Sequence, residues 1–198
     1  MGISIIPRWN VSQGNTKLQY FVDVPSFSSA DEANYAAQAL QQAADEWNSL
    51  ALGISILEAS SKSTANFDLR FYDHPSTITT RLYAVSFFPH LPAEEQHIYV
   101  TNFALSTQER GILKNVFLHE LGHVLGLRHE FALDAPETPN GAVQLMQKNP
   151  ISVMSYAPKP TMQQTDIDGV QAFYKLKAND KINGSLIMDF VPQLLPQI

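Results

Sequence analysis

Residues 119–130 read His119-Glu120-Leu121-Gly122-His123-Val124-Leu125-Gly126-Leu127-Arg128-His129-Glu130, and the rest of the chain has to be built around them. His119 and His123 lie four positions apart, so on an α-helix their imidazoles leave from one face. Two nitrogens so placed suit a tetrahedral zinc site, each bonding at roughly 2.0–2.1 Å. Glu120 puts a carboxylate beside the metal, where it can act as general base on the metal's water. A straight helix cannot also deliver residue 129 to the same ion. Gly126 tolerates the positive φ that lets the chain leave the helix and turn. His129 can then swing round as third ligand, with the fourth position left for water. The competing reading is an amphipathic helix carrying solvated histidines.

The spacing resembles the long zinc motif H-E-x-x-H-x-x-G-x-x-H of the metzincin metallopeptidases, matched at all five fixed positions by His119, Glu120, His123, Gly126 and His129. Downstream, Ser152-Val153-Met154-Ser155-Tyr156 resembles the metzincin Met-turn, which implies that Met154 lies beneath the zinc site as an apolar floor. Tyr156 stands where astacins and serralysins carry a tyrosine that is a fifth zinc ligand able to swing away and bind the oxyanion. The alternative is a tyrosine packed beside the specificity pocket. Glu130 follows the third histidine, as in astacins, and is expected in a structural ion pair with Arg128 or Arg8. His74, His90 and His97 with Asp73 match the structural zinc site of matrixins poorly, because the central histidine of that pattern falls near Val85-Ser86. Solvated or core histidines are the expectation there. Calcium has no support, since no acidic D-x-[DN]-x-D run occurs.

At 198 residues the chain is long enough for one domain with a sizeable core. Its 44% apolar and 16% charged residues belong to a globular protein rather than a disordered one. No apolar run approaches the roughly 18 residues needed to span a bilayer. A net charge of −6 argues against nucleic acid or an anionic membrane as partner. With no cysteine, no disulfide holds the fold and no thiolate can occupy the zinc. Astacins usually carry disulfides, so this leans toward serralysins and matrixins. Asn10-Val11-Ser12 and Asn183-Gly184-Ser185 fit the glycosylation pattern, which is common by chance. The first residues are too short and uncharged for a secretory signal. That leaves either a mature secreted domain without its leader, the favoured reading, or an intracellular protein.

Lys17–Val24 is rich in β-formers and reads as a first strand. Ser28 and Ser29 offer N-caps for a helix to about Leu50, with Ala33, Ala36, Ala37, Leu40, Ala44 and Trp47 as its core stripe. Gly53–Ala59, Asn66–Tyr72, Leu82–Phe88 and His97–Thr101 read as four more strands. Ser106-Thr107-Gln108-Glu109 has the form of a capping box, opening the zinc helix from about Thr107 to Leu125. Residues 131–150 read as a loop, and Thr165–Tyr174 as a capped final helix with Val170, Phe173 and Tyr174 in its core. The tail after Lys175 carries no argued chemistry.

The order of elements and the family resemblance together imply an α/β (α+β) zincin catalytic domain. It has a twisted, mixed five-stranded sheet, two long helices above the cleft, and a small irregular lower part closed by a C-terminal helix. One domain, 1–198, is expected, with an upper subdomain of about 1–129 and a lower one of 130–198. The implied function is a monomeric zinc endopeptidase holding one catalytic Zn²⁺ and cleaving an extended peptide or protein substrate. Glu120 would take the water's proton and return it to the leaving amine, and Tyr156 would stabilise the oxyanion. Leu82–Phe87 would form the cleft rim and pair with substrate by strand addition. The alternative is a non-catalytic or narrowly targeted zinc module that binds a protein partner through the same cleft.

Overall fold

In the computed structural model, residues 4–74, 81–106, 108–134, 142–157 and 159–197 are described. They run β1 (Ile5–Trp9), β2 (Thr16–Val22), α1 (Ala30–Asn48), β3 (Ile54–Glu58), β4 (Phe67–Tyr72), β5 (Ala84–Val85) and β6 (His97–Thr101). A single turn α2 (Asn102–Leu105) leads to α3 (Leu113–Val124), α4 (Gln164–Lys175), β7 (Lys181–Ile182) and β8 (Ser185–Phe190). Strands β2 to β6 form the expected mixed five-stranded sheet, in the order β3-β2-β4-β6-β5. The first four run parallel, and β5 alone is antiparallel, on β6. One face is covered by α1. Ser29 caps this helix, its hydroxyl accepting the Glu32 N–H at 3.2 Å. Ala33, Ala36, Ala43 and Ala44 are fully buried beside Leu40, and such small side chains let the helix lie close to its neighbours. Trp47 reaches from α1 to α3, its indole N–H donating to Leu118 O at 3.0 Å inside the core.

Two expected elements are shorter than their sequence signals. The strand foreseen over Leu82–Phe88 is reduced to Ala84–Val85. It is an edge with one neighbour, and Phe87 leaves the ladder to bury its ring 5.3 Å from that of Phe67. The helix expected to carry the zinc motif begins at Leu113 rather than near Thr107, and Thr107 itself lies outside the described residues. The expected capping box does not form. Ser106 ends α2, and the Glu109 carboxylate accepts the Tyr83 hydroxyl at 3.0 Å. Tyr35 on α1 donates to Arg110 O at 2.6 Å while the Arg110 guanidinium lies 4.3 Å over its ring. These tertiary partners hold residues 110–112 in a 3-10 turn, so the α-helix starts only after it, at Leu113.

The chain's two ends supply what the sequence reading did not foresee. β1 pairs in parallel with β8, and β7 folds back antiparallel on β8, making a second, three-stranded sheet. Asn183 and Gly184, with φ of 48° and 82°, form the tight turn between β7 and β8. Across the β1–β8 register, Arg8 faces Asp189 and pairs with it at 2.6 Å. The expected loop at 131–150 lies partly outside the described residues, and its described parts carry no helix or strand. Among the described residues no helix is long and apolar enough to cross a membrane.

Candidate metal centre

Helix α3 is buried on nearly every side, from Asn115 through Val124, as expected of a helix crossing the middle of a core. Its end is built in detail. Gly126 has φ of +91°, its N–H bonds His123 O at 2.8 Å, and Leu127 N–H bonds Gly122 O at 2.9 Å. That is the Schellman arrangement, which satisfies the last helical carbonyls and turns the chain sharply. Trp9 Nε1 donates to Val124 O at 2.7 Å, and the Tyr174 hydroxyl to Leu125 O at 2.9 Å. Two more orphan carbonyls thereby find partners. A Cβ at Gly126 would run into the Pro7 carbonyl oxygen. Strand β1 and helix α4 thus fix where the chain can go after α3, and it goes toward His129.

His119, His123 and His129 come together: their candidate ligand atoms all lie within 4.8 Å of one another. His119 Nδ1 bonds Val153 O at 2.9 Å, and His123 Nδ1 bonds Leu127 O at 2.8 Å. A carbonyl accepts only, so in both rings Nδ1 carries the proton and Nε2 keeps its lone pair. The two Nε2 atoms of His123 and His129 stand 3.2 Å apart. Two nitrogens bound tetrahedrally at 2.0–2.1 Å would be about 3.3–3.4 Å apart, so the spacing fits a zinc ion. Burial and the neighbouring His119 pull the pKa of His123 down to about 3, so the ring is neutral, as a ligand must be. Among the described residues no second group of this kind converges. His97 instead bonds Asp68 at 2.6 Å and Glu94 O at 2.8 Å, as expected of a structural histidine.

Glu120 is 7% exposed, and burial pushes its pKa up to about 7 against the opposing hydrogen bond of Ser86. The Ser86 hydroxyl lies 2.7 Å from Glu120 Oε2 and 3.0 Å from Glu120 O. Met154 packs under α3 at Gly122, where a Cβ would overlap its Sδ and stand 3.1 Å from its Cε. Tyr156 is 68% exposed at the cleft mouth, its hydroxyl 3.2 Å from His129 Nε2. Phe131, unremarked in the sequence, stacks on His129 with centroids 5.1 Å apart and meets the Tyr156 ring at 4.7 Å, so the three rings pack as a triangle.

Asp166, read from sequence as part of a helix cap, does more. It accepts the Gln163 N–H at 2.8 Å as a capping residue of α4. It also takes the Ser152 hydroxyl at 2.6 Å and the Val153 N–H at 2.9 Å. The carbonyl of that same Val153 orients His119. The expected ion pair of Glu130 with Arg8 is not made. Arg8 is held by its register partner Asp189 and donates to Phe173 O at 2.7 Å, while Glu130 accepts the Asn149 N–H. The Arg128 guanidinium lies 4.6 Å over the Phe88 ring.

A cleft of about 1090 Å³ runs past these groups, bounded by edge strand β5 on one side and by Tyr156 and Pro160 on the other. That volume takes several residues of an extended peptide. No curated protein matches the chain. The profile of the family described as dual-action HEIGH metallo-peptidase does match, over residues 10–134. Read as one-letter codes, HEIGH corresponds to His119–His123, with Leu121 in place of isoleucine. The matched span is more than half the chain and runs from β2 through His129, so the chain belongs to this family of zinc metallopeptidases, which is related to the metzincins, and its substrate is a peptide or protein.

Proposed function

We propose that the protein is a zinc endopeptidase of the metzincin type, with His119, His123 and His129 as the ligands of one catalytic Zn²⁺ and Glu120 as general base. The observation that carries this is the convergence of three imidazoles with Nε2 of His119 and His123 turned inward by carbonyls, beside a buried carboxylate. A zinc ion held by His119, His123 and His129 would supply Lewis acidity to the scissile carbonyl and to the attacking water. An extended peptide lies along β5, whose outer edge has no strand partner among the described residues. Glu120 takes the water's proton on Oε1, the oxygen not engaged by Ser86, and returns it to the leaving amine. The Tyr156 hydroxyl donates to the oxyanion of the tetrahedral intermediate, which its place beside His129 allows. Met154 acts as the apolar floor of a Met-turn, its seat provided by Gly122.

The test is cleavage of a diverse peptide library by wild type and by Glu120→Ala, with zinc measured in both. Wild type should cleave, and the variant should keep its zinc while kcat/KM falls by about 10²–10⁴. Equal activity in the two proteins would rule out this mechanism. A zinc-loaded wild type inert on every peptide would favour a partner-binding module.

A further inference from the structure

Glu120 sits in a buried site where water cannot hold its carboxylate in one orientation, so a fixed base needs a fixed partner. Ser86 follows directly on β5, the cleft-edge strand. Side chains alternate along an extended chain, so with Val85 exposed, Ser86 turns the other way, as Ala84 does, toward α3. There its hydroxyl meets Glu120 twice, at Oε2 and at the carbonyl O of the same residue. A single proton shared between these acceptors folds the carboxylate back over its own backbone and leaves Oε1 as the free oxygen. No other described side chain bonds the Glu120 carboxylate.

We infer that Ser86 is a positioning residue, which aims the Glu120 carboxylate at the reacting water and ties the base to the strand that docks the substrate. The inference rests on Glu120 being the base, as proposed above. It assigns Ser86 no contact with substrate or metal. A serine lost here should therefore slow the chemical step without weakening substrate or zinc binding.

The experiment compares Ser86→Ala, Ser86→Thr and Glu120→Ala with wild type, each loaded with zinc, by steady-state kinetics, elemental analysis and crystal structures. Misplacing a catalytic group typically lowers rate about 10- to 100-fold. Ser86→Ala should lose that much in kcat with KM within about twofold, a split that marks loss confined to the transition state. Ser86→Thr, which restores a hydroxyl, should recover most of the rate. In Ser86→Ala crystals the Glu120 carboxylate should leave its wild-type orientation, while zinc stays near one equivalent. If Ser86→Ala fails to fold, Ser86→Cys keeps the volume with a much weaker donor and should show the same kcat loss. A wild-type kcat in Ser86→Ala, an unmoved carboxylate, or loss of zinc would each overturn the inference. If Glu120→Ala stays active, the assignment of the base has failed instead, so the two failures are distinguishable.

Discussion

Gly126→Ala tests how the third histidine is delivered. At φ of +91° an alanine is strained by about 1–2 kcal/mol, the cost of a Cβ in the left-handed region. Its Cβ would also meet the Pro7 carbonyl oxygen, with Phe173 Cε1 a further 3.4 Å contact. Pro7 cannot give way cheaply, because β1 is hydrogen-bonded along its length to β8. Overpacking of this kind adds about 1–3 kcal/mol. The sum is a destabilisation of about 2–5 kcal/mol, which for a domain of this size lowers Tm by roughly 4–20 °C. Should the backbone relax to avoid the strain, the Leu127 N–H to Gly122 O bond breaks and Leu127 O moves off His123 Nδ1. Zinc affinity then falls as well. The assay is calorimetry of the metal-free protein, followed by zinc titration. A metal-free Gly126→Ala protein melting within about 2 °C of wild type, with undiminished zinc affinity, would show that neither the positive φ nor the Pro7 contact constrains this turn.

Tyr156→Phe should lower kcat by about 10²–10³ with KM nearly unchanged and zinc retained, as steady-state kinetics would show, because only a transition-state donor is removed. Gly122→Ala should displace Met154 from under α3 and destabilise by about 1–3 kcal/mol from overpacking, offset by up to about 1 kcal/mol of helix propensity, as read by urea denaturation. His123, pulled from 6.5 to about 3, contributes stability to the metal-free protein that is complete above pH 6.5 and is lost as the pH falls, about 1.4 kcal/mol per pH unit. Glu120, raised from 4.5 to about 7, contributes with the opposite sign, fully present below pH 4.5 and lost as the pH rises through 7. The comparison is therefore wild type against His123→Asn, and between pH 6.5 and 5 wild type should lose about 2 kcal/mol relative to the variant in urea melts.

Local signals were readable where local forces decide. The Ser29 cap, the alanine stripe of α1, strand β6 and the turn at Gly126 all follow from residues within a few positions of one another. The start of α3 did not follow, because Tyr35, far away in sequence, holds the Arg110 carbonyl in a 3-10 turn. Strands β1 and β8 were missed for the same reason. Each is stabilised by the other, from opposite ends of the chain, and Pro7 within β1 argues against a strand until it is seen at an edge. The Asn183-Gly184 pair is a strong hairpin signal, yet it was legible only as a glycosylation triplet while no strand was assigned on either side. Ser86 could have been found from the alternation Ala84-Val85-Ser86, which sets it on the face opposite Val85. What it meets there depends on where α3 crosses. Trp9 and Asp166 carry no local sign that they hold the end of α3 and the His119 ring in place.

Everything proposed for catalysis depends on three histidine nitrogens holding one zinc ion. Crystals of protein purified without added metal, measured on both sides of the zinc absorption edge, test it most directly. One anomalous peak should appear, at roughly 2.0–2.1 Å from Nε2 of His119, His123 and His129, with Glu120 outside bonding distance. The same crystals of His123→Ala should show no peak. A peak bound elsewhere, a Glu120 oxygen as a direct ligand, or a full peak surviving in His123→Ala would contradict the account.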